Sequence, residues 1–234
     1  MDGENRQIIE GVIWKQLLIF FFPILLGTFF QQLYNTVDAI IVGRFLGKEA
    51  LAAVGGPSGY LVNLLLGFFI GLCSGATVVI AQFFGANDPV GASRAVHTSM
   101  ALSIAAGTAM SLFGVFLAGP ALTAMDTPPE VLPHAVNYLR IYFGGILFTF
   151  VYNMGAAVLR AKGDSKRPFY LLVLATAVNI AGDVVFVVFW GWSVAGAACA
   201  TVLSQLASAA GVWIFLARES GAFRLRLRGL FRPD

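Results

Sequence analysis

The chain has 234 residues, 58% of them hydrophobic and only 12% charged, with a formal net charge of +3. Soluble domains carry about 25% charged residues, so this composition excludes a soluble globular protein and points to a helical protein of the lipid bilayer. The positive balance sits in clusters at the ends of apolar runs, which speaks against nucleic acid as a partner. Apolar residues lie on nearly every side of each run, without the two-residue alternation of a barrel strand.

Residues 1–16 carry acids and lack a small-residue cleavage site, so they read as an amphipathic cytoplasmic lead-in and not as a secretory signal. Six spans follow at about 17–42, 51–84, 95–118, 135–159, 168–190 and 194–217, forming an all-α six-helix transmembrane unit over 17–217. In the first span Gln31, Asn35 and Asp38 are spaced i, i+4, i+7 and share one helix face. A carboxylate at the bilayer centre costs about 2.5 to 3.5 kcal/mol on insertion scales, so that face is expected to look away from lipid. Pro23, in the same span, removes a backbone hydrogen bond and marks a candidate hinge. The second run is too long for one untilted crossing, about 51 Å at 1.5 Å per residue, and is expected to tilt, bend near Pro57 or project beyond the bilayer. Its Gly67, Gly71 and Gly75 form a small-residue ridge expected to let another helix approach closely.

The fourth span contributes Tyr138, Tyr142, Thr149 and Asn153; the two tyrosines suit either an interface belt or a cavity wall. The fifth repeats the acidic pattern with Thr176, Asn179 and Asp183, and the sixth offers Thr201, Ser204, Gln205 and Ser208. For those hydroxyls, bonding to neighbouring backbone is nearly as good an explanation as a pore. Together the stripes predict a water-accessible cavity lined by the first, fifth and sixth helices, with Asp38 and Asp183 as its only acids. Asn35, Thr176, Gln205 and Tyr138 are its expected substrate-facing residues. Cys73 and Cys199 both fall within spans, so packing and not a disulfide is expected. If the N-terminus is inside, only Arg44, Lys48 and Arg140 of the fifteen basic residues lie outside, which predicts both termini in the cytoplasm.

Three stretches carry a resemblance: Asp38 to Gly55 with its Val42-Gly43-Arg44, the Ala81 to Asp88 loop, and the Arg160 to Pro168 loop. With Asn179 and Asp183 spaced i, i+4, they make nearly the whole chain similar to the multidrug and toxic compound extrusion (MATE) transporters. The resemblance implies one lobe of a twelve-helix transporter in the plasma (inner) membrane. Such a transporter exports amphipathic or cationic drugs and metabolites in exchange for protons or sodium. It also implies a cation site at Asp38, Asn179 and Asp183 with Gln31, Asn153 and Thr201. There the two acids would take up a proton or help to hold sodium, the only metal expected; no cofactor and no enzymatic activity are expected. Residues 218–234 read as a truncated interlobe linker ahead of a genuine basic tail. A missing second lobe, or a second copy of this chain, is the expected partner.

Three other readings compete. An intramembrane aspartyl protease lacks support, because Ala181-Gly182-Asp183 lacks the first glycine of Gly-x-Gly-Asp. A non-transporting half-lobe that serves another membrane protein is the main alternative. A flippase for lipid-linked sugars from the same superfamily is the other.

Overall fold

The computed structural model describes residues 13–225. The expectations for residues 1–12 and for the tail beyond 225 lie outside the described residues. Seven α-helices dominate: α1 Ile13–Leu46, α2 Lys48–Gly55, α3 Pro57–Gly85, α4 Pro89–Ala124, α5 Leu132–Ala161, α6 Lys166–Asp183 and α7 Ser193–Arg218. Six stretches are long and apolar enough to cross a membrane: Leu17–Leu46, Lys48–Gly85, Pro89–Ala124, Leu132–Ala161, Lys166–Phe189 and Ser193–Arg218. No strand occurs among the described residues. Helices are the economical choice here, since an α-helix satisfies its backbone groups within the segment where no water is available.

The joints follow from local chemistry. The second run breaks at Gly56, whose φ of −81° and ψ of −124° are not helical, and Pro57 then opens α3 where its missing N–H is no loss. Asp88 caps α4: its Oδ1 accepts from the Val90 and Gly91 amides at 3.1 and 2.9 Å. Asp164 does the same for α6, accepting from Lys166 and Arg167, both at 3.1 Å. By contrast, α1 runs unbroken through Pro23.

Helix α5 is the central post, packed against α4 on one side and α7 on another, with α3 also in contact. Its Leu139, Ile146, Phe150, Met154 and Leu159 are fully or almost fully buried, and Phe150 stacks on Phe69 of α3 at 3.7 Å between ring centroids. Helix α6 packs on α7 and α1, so α1 reaches the core largely through α6. Helices come closest at glycines: a Cβ on Gly107 of α4 would lie 2.9 Å from Leu147, and one on Gly155 of α5 would lie 2.7 Å from Val212. The Gly67, Gly71 and Gly75 ridge behaves otherwise and corrects the expectation of a packed seam. Nothing among the described residues lies within 4 Å of a Cβ built on any of the three, because that side of α3 faces out of the lobe.

Beyond α7 the chain folds back onto the bundle. Glu219 is buried and accepts from Lys162 at 2.6 Å and from Arg167, which also pairs with Asp164 at 3.1 Å. Phe223 packs edge-on against Phe84, and the Leu225 amide donates to the Leu216 carbonyl at 3.0 Å. Burial would raise the Glu219 carboxyl, but the hydrogen bonds and charges of Lys162 and Arg167 outweigh it and hold the group below its ordinary 4.5. Because the folded value is depressed, this contribution is fully present above the ordinary value and is lost as pH falls through the folded one. Glu219→Gln is expected to weaken docking of residues 219–225 by about 1 to 2 kcal/mol, a discounted figure because both cations are partly solvated. Hydrogen exchange at the Leu225 amide measures it: faster exchange in the variant, and in the unmodified chain only under acid.

Candidate functional site

Asp38 lies on α1 and Asp183 is the last residue of α6; the first is 8% exposed and the second 0%. The packing of α1 on α6 brings the two carboxyl groups close enough to interact electrostatically. One turn before Asp183, the buried Asn179 donates its Nδ2 to Thr201 Oγ1 of α7 at 3.4 Å, and Thr201 donates to the Ala197 carbonyl at 3.1 Å. Thr176, a turn earlier, donates to Leu172 O at 2.9 Å and reaches Phe30 O of α1 at 3.4 Å, tying α6 to α1.

What distinguishes this cluster is an excess of acceptors. Asp38 Oδ1, Asn179 Oδ1 and both carboxyl oxygens of Asp183 are buried with no hydrogen-bond partner among the described residues. Two ionised carboxylates cannot donate to each other, so the pair is satisfied only when a proton sits on one of them or a cation lies between them. Such buried unsatisfied oxygens are costly to keep, which is itself a pointer to use. Among the described residues no group of three or more His, Cys, Asp or Glu side chains could hold a metal. The cluster brings together two carboxylates, one amide oxygen and one hydroxyl.

Around the acids stands an aromatic wall. Tyr138 of α5 is buried close to both carboxylates and stacks on Tyr142 with centroids 6.1 Å apart. Tyr34 of α1 lies one turn before Asp38 and interacts with it. Sequence reasoning passed over Tyr34, although it sits four residues before Asp38 and three after Gln31 and so belongs to their face.

Other expected site residues lie further out. Gln31 is exposed, while Asn35 is exposed and donates to Gln32 Oε1 at 3.1 Å. Asn153 bonds its own helix at Thr149 O, 2.8 Å away. Gln205 is half-buried one turn beyond Thr201. Ser204 and Ser208 bond back to the carbonyls of Thr201 and Ser204 at 2.7 and 3.1 Å, so these hydroxyls serve the helix backbone. Pro23 is half-buried inside the continuous α1.

The MatE family profile matches residues 23–185, which run from Pro23 within α1 past the end of α6 and include both acids. The chain belongs to the MatE family. The probable multidrug resistance protein YpnP of Bacillus subtilis (strain 168) is 34% identical over 196 residues, 84% of this chain and 44% of that protein. A MATE protein solved in a bent conformation superposes with a TM-score of 0.88 at 30% identity, covering 100% of this MatE chain and 52% of the other. The outward-facing conformation of a multidrug resistance MATE transporter gives 0.88 at 28% identity, with 99% and 51% covered. This MatE chain thus spans about half the length of the relatives it matches.

Proposed function

We propose that this chain is the cation-binding lobe of an antiporter that exports amphipathic or cationic drugs and metabolites in exchange for protons or sodium. The observation that carries the reading is the buried Asp38 and Asp183 pair with its unpartnered oxygens. Names of relatives support the direction, since YpnP is described as a probable multidrug resistance protein. Loading the pair with a proton or sodium removes charge from the α1 and α6 contact and changes which packing of those helices is preferred. A substrate favoured by the other packing is then released outward, and cation exit resets the lobe. Asn179 and Thr201 supply neutral dipoles beside the acids, Tyr138 closes one wall, and Gln31, Asn35 and Gln205 face the substrate side. The lobe sits in the plasma (inner) membrane with both ends in the cytoplasm. A second lobe, or a second copy of this chain, covers the open sides of α1 and α3.

Pro23, inside the continuous α1 and without an N–H to donate, is proposed as a hinge of the same cycle. Pro23→Ala is expected to lower turnover several-fold with substrate affinity little changed, because the altered step is a helix movement and not a contact. Unchanged turnover and affinity together would leave Pro23 an ordinary kink.

The reading is tested by placing this lobe with a second lobe in vesicles and following a fluorescent cationic dye. Dye efflux should follow an imposed proton or sodium gradient. Efflux that ignores both gradients would refute the coupling.

A further inference from the structure

The helix carrying Asp183 changes its winding at that residue. Through Asp183 it is an α-helix, and from Val184 to Phe189 it is a π-helix, with the Trp190 amide donating to the Val185 carbonyl five residues back at 2.9 Å. The sequence Val-Val-Phe-Val-Val-Phe offers no glycine or proline to force this. A single wide turn is unfavourable by itself and gathers at functional sites, so its surroundings must hold it.

Those surroundings bracket Asp183. One residue before it, Gly182 seats against α7, where a Cβ would lie 2.9 Å from the Ala200 Cβ. Three residues after it, Phe186 is met by Gly196, where a Cβ would lie 3.1 Å from the Phe186 carbonyl carbon and 3.2 Å from its oxygen. Residues 182 and 186 are one turn apart on one helix of the pair, and 200 and 196 are one turn apart on the other. These two seats flank Asp183 along the α7 contact, and the Asp183 carboxyl interacts with Asp38 of α1. The far end is closed by aromatic rings: Phe186 stacks on Trp192 at 5.4 Å, and the Trp192 amide donates to the Phe186 carbonyl at 2.9 Å. The wide turn also touches α1 directly.

We propose that the wide turn Val184–Phe189, gripped between Gly182 and Gly196, is a positioning element that holds the Asp183 carboxyl against Asp38. Gly182 and Gly196 are then positioning residues for the cation step, acting through Asp183 and touching no substrate. This rests on the reading of the carboxyl pair given above.

The test is infrared spectroscopy of the whole chain in lipid nanodiscs, with the carboxyl bands assigned by their loss in Asp38→Asn and Asp183→Asn. In the unmodified chain, Asp38→Asn should move the titration midpoint of the Asp183 band by more than about one pH unit, the signature of a coupled pair. Deleting Val188 closes the wide turn to α spacing and should abolish that shift. Gly196→Ala requires the turn to yield only a few tenths of an ångström and should reduce it; this milder variant decides the matter if the deletion does not insert. Gly67→Ala, with open space around it, should leave the shift whole. A full shift in folded Gly196→Ala and in the deletion variant would overturn the positioning role. No shift in the unmodified chain would overturn the carboxyl pair and the positioning role with it. Intact coupling here with gradient-independent dye efflux would defeat only the transport reading.

Discussion

Asp38→Asn and Asp183→Asn are each expected to reduce gradient-driven dye efflux to the level of protein-free vesicles while the chain still inserts and folds. The amide has nearly the shape of the acid, so packing of α1 on α6 survives. It cannot exchange a proton, and it removes one of the two carboxylates that would share the cation. Burial makes the loss costly, since Asp183 is 0% exposed. Removing an acid should also relieve the excess of unpartnered acceptors, so thermal stability of the variants should equal or exceed that of the unmodified lobe. Efflux at the unmodified rate in either variant would remove that carboxyl from the coupling step.

The second large effect separates two kinds of glycine. Gly114→Val on α4 pushes a side chain into the Phe143 ring of the central helix, where even a Cβ would overlap the ring atoms. Overpacking of a tight contact typically costs about 1 to 3 kcal/mol, and here the neighbour is a buried aromatic ring, which puts the expectation at the upper end. On α3 a Cβ at Gly71 meets nothing within 4 Å, and Gly71→Val should stay within about 0.5 kcal/mol. Thermal unfolding of the two variants in the same lipid decides it. Equal stability would mean that α4 and α5 do not meet at Gly114.

The bundle was legible because apolar runs of this length have few other uses, and the breaks announce themselves in Gly56-Pro57, Asp88-Pro89 and Gly191. Asp38 and Asp183 stood out for the same reason that they are costly: a charge in an apolar run is conspicuous. Their meeting was foreshadowed by the helical spacing that puts Asn179 and Asp183 on one face of α6, a helix that packs on both α1 and α7. What periodicity could not supply was the partner of each face. The ridge of Gly67, Gly71 and Gly75 has the spacing of a packed seam and yet points outward, since spacing fixes a face and not what lies against it. Gln31 and Asn35 share a stripe with Asp38 but come to the surface, because a stripe spanning two turns crosses the edge between core and exterior. The wide turn after Asp183 was unreadable, as it arises from the close approach of α7 and has no local residue to signal it.

The central claim is that the carboxyl pair exchanges its cation against substrate. The direct measurement is counter-flow in vesicles holding this lobe with a second lobe, under a substrate gradient and no ion gradient, with proton- and sodium-sensitive dyes read together. Substrate moving down its gradient should drive one of the two ions the opposite way, and Asp183→Asn should abolish that flow. Substrate movement with neither ion displaced would contradict the account.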